Sequence, residues 1–264
     1  SCSVRLCINA KLKIVKILNQ EKIMPFRIDG RKNSELRKIN VVPGFLKNPA
    51  GSALIEFGNT RVLCSASVIE EVPPWMKAQK KTGGWLTGEY QMIPASTAER
   101  NKREINHVSG RTQEIQRLIG RSLRAAIDLE KLSTRTIYID CEVLDADGGT
   151  RCASVTGGMI ALDLAVKKMI SEGKLKENPL ISRVAAVSVG IRNGIVILDL
   201  CYEEDSNADV DMNVIMNEKL QLIELQATSE RAPFTSEDLA KLLDLAQFGI
   251  KKIFKIQKNA VAPT

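Results

Sequence analysis

A single histidine, His107, stands in the 264 residues. Ser-His-Asp and Cys-His hydrolases need a histidine base oriented by a third group. The neighbours Asn106 and Val108 offer no such setting, so a surface or packing role is expected for it. The six cysteines, at positions 2, 7, 64, 141, 152 and 201, include no CxxC pair. Without a second Cys or His cluster they form no zinc site of the usual spacing. Their scatter also gives no disulfide framework and fits a reducing cytosol, with Cys141 and Cys152 expected as small buried hydrophobes. No run of 18 apolar residues goes without a charge, so no helical membrane span and no membrane partner are expected. Short tandem repeats and low-complexity linkers are absent as well.

What is present is an ordinary globular composition, 44% hydrophobic and 26% charged, with enough chain for a sizeable core. The formal net charge of +7 invites a nucleic-acid reading. Much of that charge is local, however. Residues 1–23 hold Arg5, Lys11, Lys13, Lys16 and Lys22 against Glu21 alone, which leaves +3 for the rest. This leader reads either as an organelle-targeting stretch or as the product of a mis-assigned start ahead of Met24, where the globular pattern begins. The setting expected for residues 24–264 is the cytoplasm, or an organelle if the leader is a targeting stretch.

Along the chain, residues 51–68 read as two strands around a Gly58-Asn59 turn. Residues 73–98 carry Pro73, Pro74, Gly83, Gly84, Gly88 and Pro94 and are expected to form loops and short extended pieces. From 112 to 131 the period becomes helical, with Ile115, Leu118, Ile119, Leu123, Ala126 and Ile127 as a buried stripe. Arg117, Arg121 and Arg124 recur on another face of that helix, with Arg100, Lys102, Arg103 and Arg111 just upstream. Such a row is ordinarily a solvated face, yet this clustering is a better RNA signal than the total charge.

Residues 136–144 alternate as a strand, 145–151 turn sharply, and 152–171 have the small and apolar residues of a buried helix. Asn193-Gly194 marks a tight hairpin, further strands are expected at 210–216 and 220–226, and Thr235 with Asp238 forms a capping box for a last helix. Leu239, Leu242, Leu243, Ile250, Ile253 and Phe254 line one side of it. Strand-rich stretches closed by helices argue for an α+β fold with two related strand-and-helix halves.

Two constellations carry chemistry. Gly148 and Gly149, ahead of Thr150 and Arg151 between a strand and a helix, let backbone N–H groups approach an anion at a helix N-terminus. Thr150 adds a hydroxyl and Arg151 a charged fork. No Gly-Lys-Ser/Thr follows, which excludes a Walker loop, and a purely structural turn is the alternative. The second is the acidic run Glu203, Glu204, Asp205, Asp209 and Asp211, with no Lys or Arg among them. Carboxylates this close destabilise one another unless exposed or bridged by a cation. A phosphate cradle, an arginine-rich helix and acidic residues, without a catalytic histidine, suit phosphoryl transfer by positioning and electrostatics.

Several long blocks in one order carry a specific resemblance. They are Asp29-Gly30-Arg31, Gly84-Trp85-Leu86-Thr87-Gly88-Glu89-Tyr90, Ser109-Gly110-Arg111, the 114–125 run from Glu114 to Ala125, Asp147-Gly148-Gly149-Thr150-Arg151, and Tyr202-Glu203-Glu204-Asp205 with Val210-Asp211-Met212-Asn213. In these the chain, over 27–257, resembles the ribonuclease PH family of phosphate-dependent 3′→5′ exoribonucleases that trim tRNA precursors.

The resemblance implies a ribosomal-S5-domain-2-like α+β fold in two pseudo-symmetric halves, a single catalytic domain over 24–264, and a homohexamer built as a trimer of dimers. It implies inorganic phosphate as co-substrate, held by Arg111, Gly149, Thr150 and Arg151. Asp205 and Asp211 are implied as the catalytic pair and as ligands of Mg²⁺ or Mn²⁺, and Arg100 and Arg103 as contacts to the RNA stem. Two departures stand out: Ala95 occupies a place where many members have arginine, and the loop between Arg103 and Ser109 is short. A non-catalytic RNA-binding ring subunit of an exosome-like assembly is the alternative; such subunits typically lose the phosphate-binding arginine or the paired aspartates, and this chain keeps all of them. A metal-dependent hydrolytic nuclease would need the acids but not the phosphate pocket.

Overall fold

Alternating apolar residues in 51–69 fold as the expected hairpin, β2 (Gly51–Phe57) against β3 (Thr60–Ile69), with Phe57 opposite Thr60 across the turn. A computed structural model describes residues 27–105 and 107–262; the leader at 1–23 lies outside the described residues. Among the described residues, 27–33 belong to one unit and those from 34 onward to another. Within the first, Gly30 turns at φ +76° and its N–H donates to the Arg27 carbonyl at 3.0 Å.

In the second unit β1 (Ile39–Pro43) pairs with β2, and β5 (Thr136–Asp145) pairs antiparallel with β3. The outer neighbour of β5 is β4 (Trp85–Met92), running parallel to it, so the sheet order is β1-β2-β3-β5-β4. Residues 73–98 therefore hold more order than expected: an eight-residue strand and a short helix, α1 (Pro74–Ala78). The glycines that disguised β4 serve close packing. A Cβ on Gly88 would come within 3.0 Å of the Gly120 nitrogen, on helix α2 (Gly110–Arg124).

Helix α2 starts where Ser109 accepts a hydrogen bond from the Thr112 N–H, an N-cap that satisfies one of the four free N–H groups of the first turn. Its Ile115, Leu118, Ile119 and Leu123 are buried, and the helix ends before Ala126 and Ile127, which stay buried beyond it. Cys141 and Cys152 are buried as expected, and His107 is exposed.

The second sheet is antiparallel throughout. It contains β6 (Val184–Arg192), β7 (Ile195–Leu198), β8 (Val210–Asn217) and β9 (Leu222–Ser229) in the order β7-β6-β8-β9. Asn193 and Gly194 make the β6–β7 turn with φ 50° and 74°, the left-handed pair of a type I′ hairpin. Helix α3 (Thr150–Ser171) packs on β2 and β3 on one side and on β6 on another, so nearly all of its faces are buried. Helix α5 (Ser236–Ala260), opened by the Thr235–Asp238 capping box, covers β6 and β7 with Leu242, Ala246, Ile250 and Ile253. The short α4 (Tyr202–Ser206) lies between β7 and β8. Each sheet thus has its own helices, the α+β arrangement in two strand-and-helix halves, with α3 shared between them.

Candidate active site

The chain leaves β5 through Ala146 and Asp147 and enters α3 through two glycines in the left-handed region, Gly148 at φ +75° and Gly149 at φ +66°. A Cβ on Gly148 would lie 2.7 Å from backbone atoms of Cys201 and Tyr202, so only glycine lets the loop approach the second half this closely. Gly149 is the N-cap of α3 and gives it no side-chain cap. The first-turn N–H groups therefore lack the usual partner and form a natural anion cradle. Thr60 fixes the loop from beneath: its hydroxyl accepts from the Asp147 N–H at 2.9 Å and donates to the Gly148 carbonyl at 2.7 Å. The Asp147 carboxylate accepts from Asn59 at 3.1 Å and from the Tyr202 N–H at 3.2 Å, so it is a strut rather than part of the cradle.

Thr150 and Arg151 open α3. The buried Tyr90 phenol, from β4, hydrogen-bonds the Thr150 hydroxyl at 3.0 Å. Arg151 donates to Gln226 Oε1 at 2.8 Å and lies 3.6 Å from Glu114, while Gln226 in turn donates to Glu114 at 2.8 Å. Its fork is thus oriented by α2 and β9 together. Arg111, the second residue of α2, lines the same cavity as Arg151.

Asp205, in α4, and Asp211, in β8, complete the group. A cavity of about 280 Å³ is lined by Arg111, Gly149, Thr150, Arg151, Asp205 and Asp211, along with Ser188 and Tyr202. Other acids of the 203–211 run do other work. Glu204 accepts from the Cys201 N–H at 3.1 Å, closing a capping box for α4, and Asp209 accepts from the Asn193 N–H at 2.8 Å at the hairpin turn. Glu203 is exposed.

Burial, and then the charge of Asp205 beside it, pushes Asp211 up to about 7, with Arg151 opposing. Asp205 is raised as well, again by burial first, and is pulled back by Asp211, Arg151 and Arg111. Both carboxyls are thus pushed toward the protonated form, and the pair shares its titration. One oxygen of Asp211, Oδ1, is buried with no hydrogen-bond donor, while Oδ2 accepts from Asn213 at 3.3 Å. A buried acceptor left open beside a second carboxylate fits a proton or a cation.

Arg100 and Arg103 are exposed in the loop between β4 and α2 and do not line the cavity. The arginine row of α2 divides. Arg117 is exposed, Arg121 forms a two-pronged pair with Glu224 at 2.5 and 3.1 Å, and Arg124 lies 4.6 Å over the Trp85 ring while donating to the Leu86 carbonyl. Sequence reasoning missed Thr60, Tyr90, Glu114 and Gln226 as parts of the site. Only Tyr90 and Glu114 had any signal, as members of the matching blocks.

Two family models match the chain: the 3′ exoribonuclease family, domain 1, over residues 35–168, and domain 2 of the same family over 182–248. Ribonuclease PH of Neisseria meningitidis serogroup C is 53% identical over 234 residues, 88% of this chain and 96% of that protein. Ribonuclease PH of Bacillus pumilus is also 53% identical, over 236 residues, with the same coverage. Among solved structures, the Archaeoglobus fulgidus exosome with RNA bound to the active site aligns with a TM-score of 0.72 at 21% identity, covering 95% of this chain and 98% of that one. At that identity the likeness supports the fold.

Proposed function

The chain belongs to the ribonuclease PH family, and on that premise we propose that it shortens RNA from the 3′ end by phosphorolysis. One observation carries the reading: two arginines and an uncapped, glycine-opened helix end share a single cavity with two half-buried carboxylates.

Arg111 and Arg151 hold inorganic phosphate by charge-assisted hydrogen bonds, with the Gly149 and Thr150 N–H groups and the Thr150 hydroxyl completing its coordination. A phosphate oxygen attacks the phosphorus of the terminal phosphodiester. The new P–O bond forms as the bond to the penultimate 3′ oxygen breaks, releasing a nucleoside diphosphate and an RNA one residue shorter. The departing oxygen takes a proton, which the Asp205–Asp211 pair, with its acid form favoured by burial, can give. One P–O ester is exchanged for a phosphoanhydride, so the reaction also runs backwards as nucleotide addition.

Asp205 and Asp211 fit a Mg²⁺ or Mn²⁺ ion through the open Asp211 oxygen. Among the described residues no group of three or more His, Cys, Asp or Glu is arranged to hold a metal; an ion here would be held by one or two carboxylates plus substrate phosphates. When bound, it would offset charge on the reacting phosphates. Exposed Arg100 and Arg103 engage the phosphates of a structured RNA such as a tRNA precursor. Self-assembly into a hexameric trimer of dimers accords with β9, which ends its sheet and carries exposed Leu222 and Leu225.

The test is a short RNA with a free 3′ end, incubated in Mg²⁺ with and without orthophosphate. Nucleoside diphosphates are expected only when phosphate is present; monophosphates in either case would overturn the reading. Arg111→Ala and Asp205→Ala are each expected to lower the rate at least a hundredfold, about what loss of a preorganised electrostatic contact costs. RNA retention on a filter should stay close to that of the unaltered protein.

A further inference from the structure

The loop that opens α3 rests on a buried ion pair outside the cavity lining. Arg37, just ahead of β1, and Asp199, just after β7, are 4% and 2% exposed, with Arg37 Nη2 2.7 Å from Asp199 Oδ1 and Nε 3.2 Å from Oδ2. The Arg37 backbone N–H donates to the same carboxylate at 2.7 Å. The rest of the guanidinium faces the loop. Nη1 donates to the Asp147 carbonyl at 2.6 Å, and both terminal nitrogens lie 3.4 Å from the Gly148 carbonyl. A Cβ added to Gly149 would come 2.9 Å from Arg37 Nη2, so the loop sits directly on the guanidinium.

Asp199 occupies the left-handed region at φ 55°, uncommon for a residue other than glycine, and its N–H donates to the Ser188 carbonyl at 2.7 Å. Such a conformation persists where the surroundings over-determine it. In a trans peptide the C=O and the following N–H point in opposite directions. Turning the Asp147 and Gly148 carbonyls onto Arg37 therefore turns the Gly148 and Gly149 N–H groups away from it.

We propose that the Arg37–Asp199 pair is a positioning device for phosphate: it clamps the carbonyls of the Asp147–Gly148 loop so that the start of α3, with the Gly149 N–H, is fixed for the anion. Neither residue touches the anion. The pair ties together the segment before β1, the loop and the second sheet, so the cradle forms only when both halves are docked. This rests on the reading that the cavity takes phosphate.

Arg37→Lys keeps a positive charge but loses the fork that spans carboxylate and carbonyls. Asp199→Asn keeps the volume and one acceptor oxygen while releasing the guanidinium. Each is expected to raise the KM for phosphate about tenfold or more, the factor carried by loss of one charge-assisted hydrogen bond. The KM for RNA should be unchanged and kcat should change less than the phosphate KM.

A second readout does not use activity. Phosphate raises Tm in proportion to its binding, and that increment should shrink in both variants. A merely structural pair would lower Tm while leaving the increment and the phosphate KM as in the unaltered protein, which would overturn the proposal. If Arg37→Lys does not fold, the milder Asp199→Asn decides. Absence of any phosphate dependence in the unaltered protein would instead remove the reading on which the proposal rests.

Discussion

A carboxyl group that folding takes out of water binds its proton more tightly, so its charge costs stability above its shifted pKa. The Asp205–Asp211 pair carries that cost inside the cavity, and a second instance lies away from it on the β4–β5 face. Burial raises Asp140, and burial followed by repulsion from Asp140 raises both Glu89 and Glu142. For a raised carboxylate the sign is fixed: the cost is full above the folded pKa and is relieved as pH falls through it toward the unfolded value. Asp140→Asn is therefore expected to raise Tm at pH 7 and to lose that advantage as pH falls through the raised value of Asp140 into the ordinary carboxylate range. Ser65, which donates to Asp140 at 3.3 Å, can still donate to the amide oxygen. Thermal melts across that range check it, and an equal gain at all pH values would contradict it. The same residue scale shows how far the acidic run could be read. Its five carboxylates looked alike in the sequence, and a resemblance singled out Asp205 and Asp211. The physical distinction is that Glu204 and Asp209 are spent on backbone N–H groups of Cys201 and Asn193, contacts set by a helix cap and a hairpin turn.

At the scale of elements, the readable ones had strong periodicity or recognised caps. The hairpin at Asn193-Gly194, the helix capped by Thr235 and the buried helix after Arg151 all stand where the pattern put them. Strand β4 escaped because Gly83, Gly84 and Gly88 imitate loop composition, whereas at Gly88 the reason for glycine is contact with α2. The arginine row of α2 was only half readable as RNA surface, since Glu224 and Trp85 are distant in sequence yet take up two of its members. The loop ahead of α3 gives the sharpest element-scale test. Gly148→Ala adds a methyl 2.7–2.8 Å from backbone of residues 200–202 at a φ of +75°. Overpacking against backbone that cannot swing aside costs about 1–3 kcal/mol, before the left-handed penalty is counted. A chain of this size should then lose roughly 2–4 °C in Tm per kcal/mol. Gly110→Ala is the control, because a Cβ there meets nothing within 4 Å and φ is not positive. Its expected Tm change is within about 2 °C, as for an unstrained glycine replacement of under about 1 kcal/mol. Differential scanning calorimetry of the pair separates the two; equal melting points would show that the loop yields to a side chain.

For the whole molecule the question is whether the two strand-and-helix halves fold separately or as one. Their separateness is visible in the sequence, as two strand clusters each closed by a helix, and in the two family models that divide near residues 168–182. Their dependence is not visible there, because it lies in one helix whose pattern gives no direction. Helix α3 is buried on almost every side: Ile55 and Cys64 lie against Gly157, and the Thr156 hydroxyl lies 3.3 Å from the Ala186 nitrogen in β6. The Gln257 amide of α5 reaches both the Thr156 carbonyl at 3.1 Å and the Val184 carbonyl at 2.9 Å. Arg183 pairs with the buried Asp163 at 2.7 Å. A helix apolar all round has no face for water, so a fragment ending at residue 173 would expose the side of α3 that β6 covers. Arg183 without Asp163 and Gln257 without Thr156 would likewise lose buried partners. Expressed alone, fragments 24–173 and 174–264 are expected to be insoluble or to lack a cooperative melt. Expressed together, they should associate and recover a single transition with phosphorolytic activity, since the cradle is clamped by Arg37 of one fragment and Asp199 of the other. A cooperative melt of either fragment alone would show instead that α3 is an ordinary outer helix of one half, and would separate the catalytic cradle from the folding of the whole.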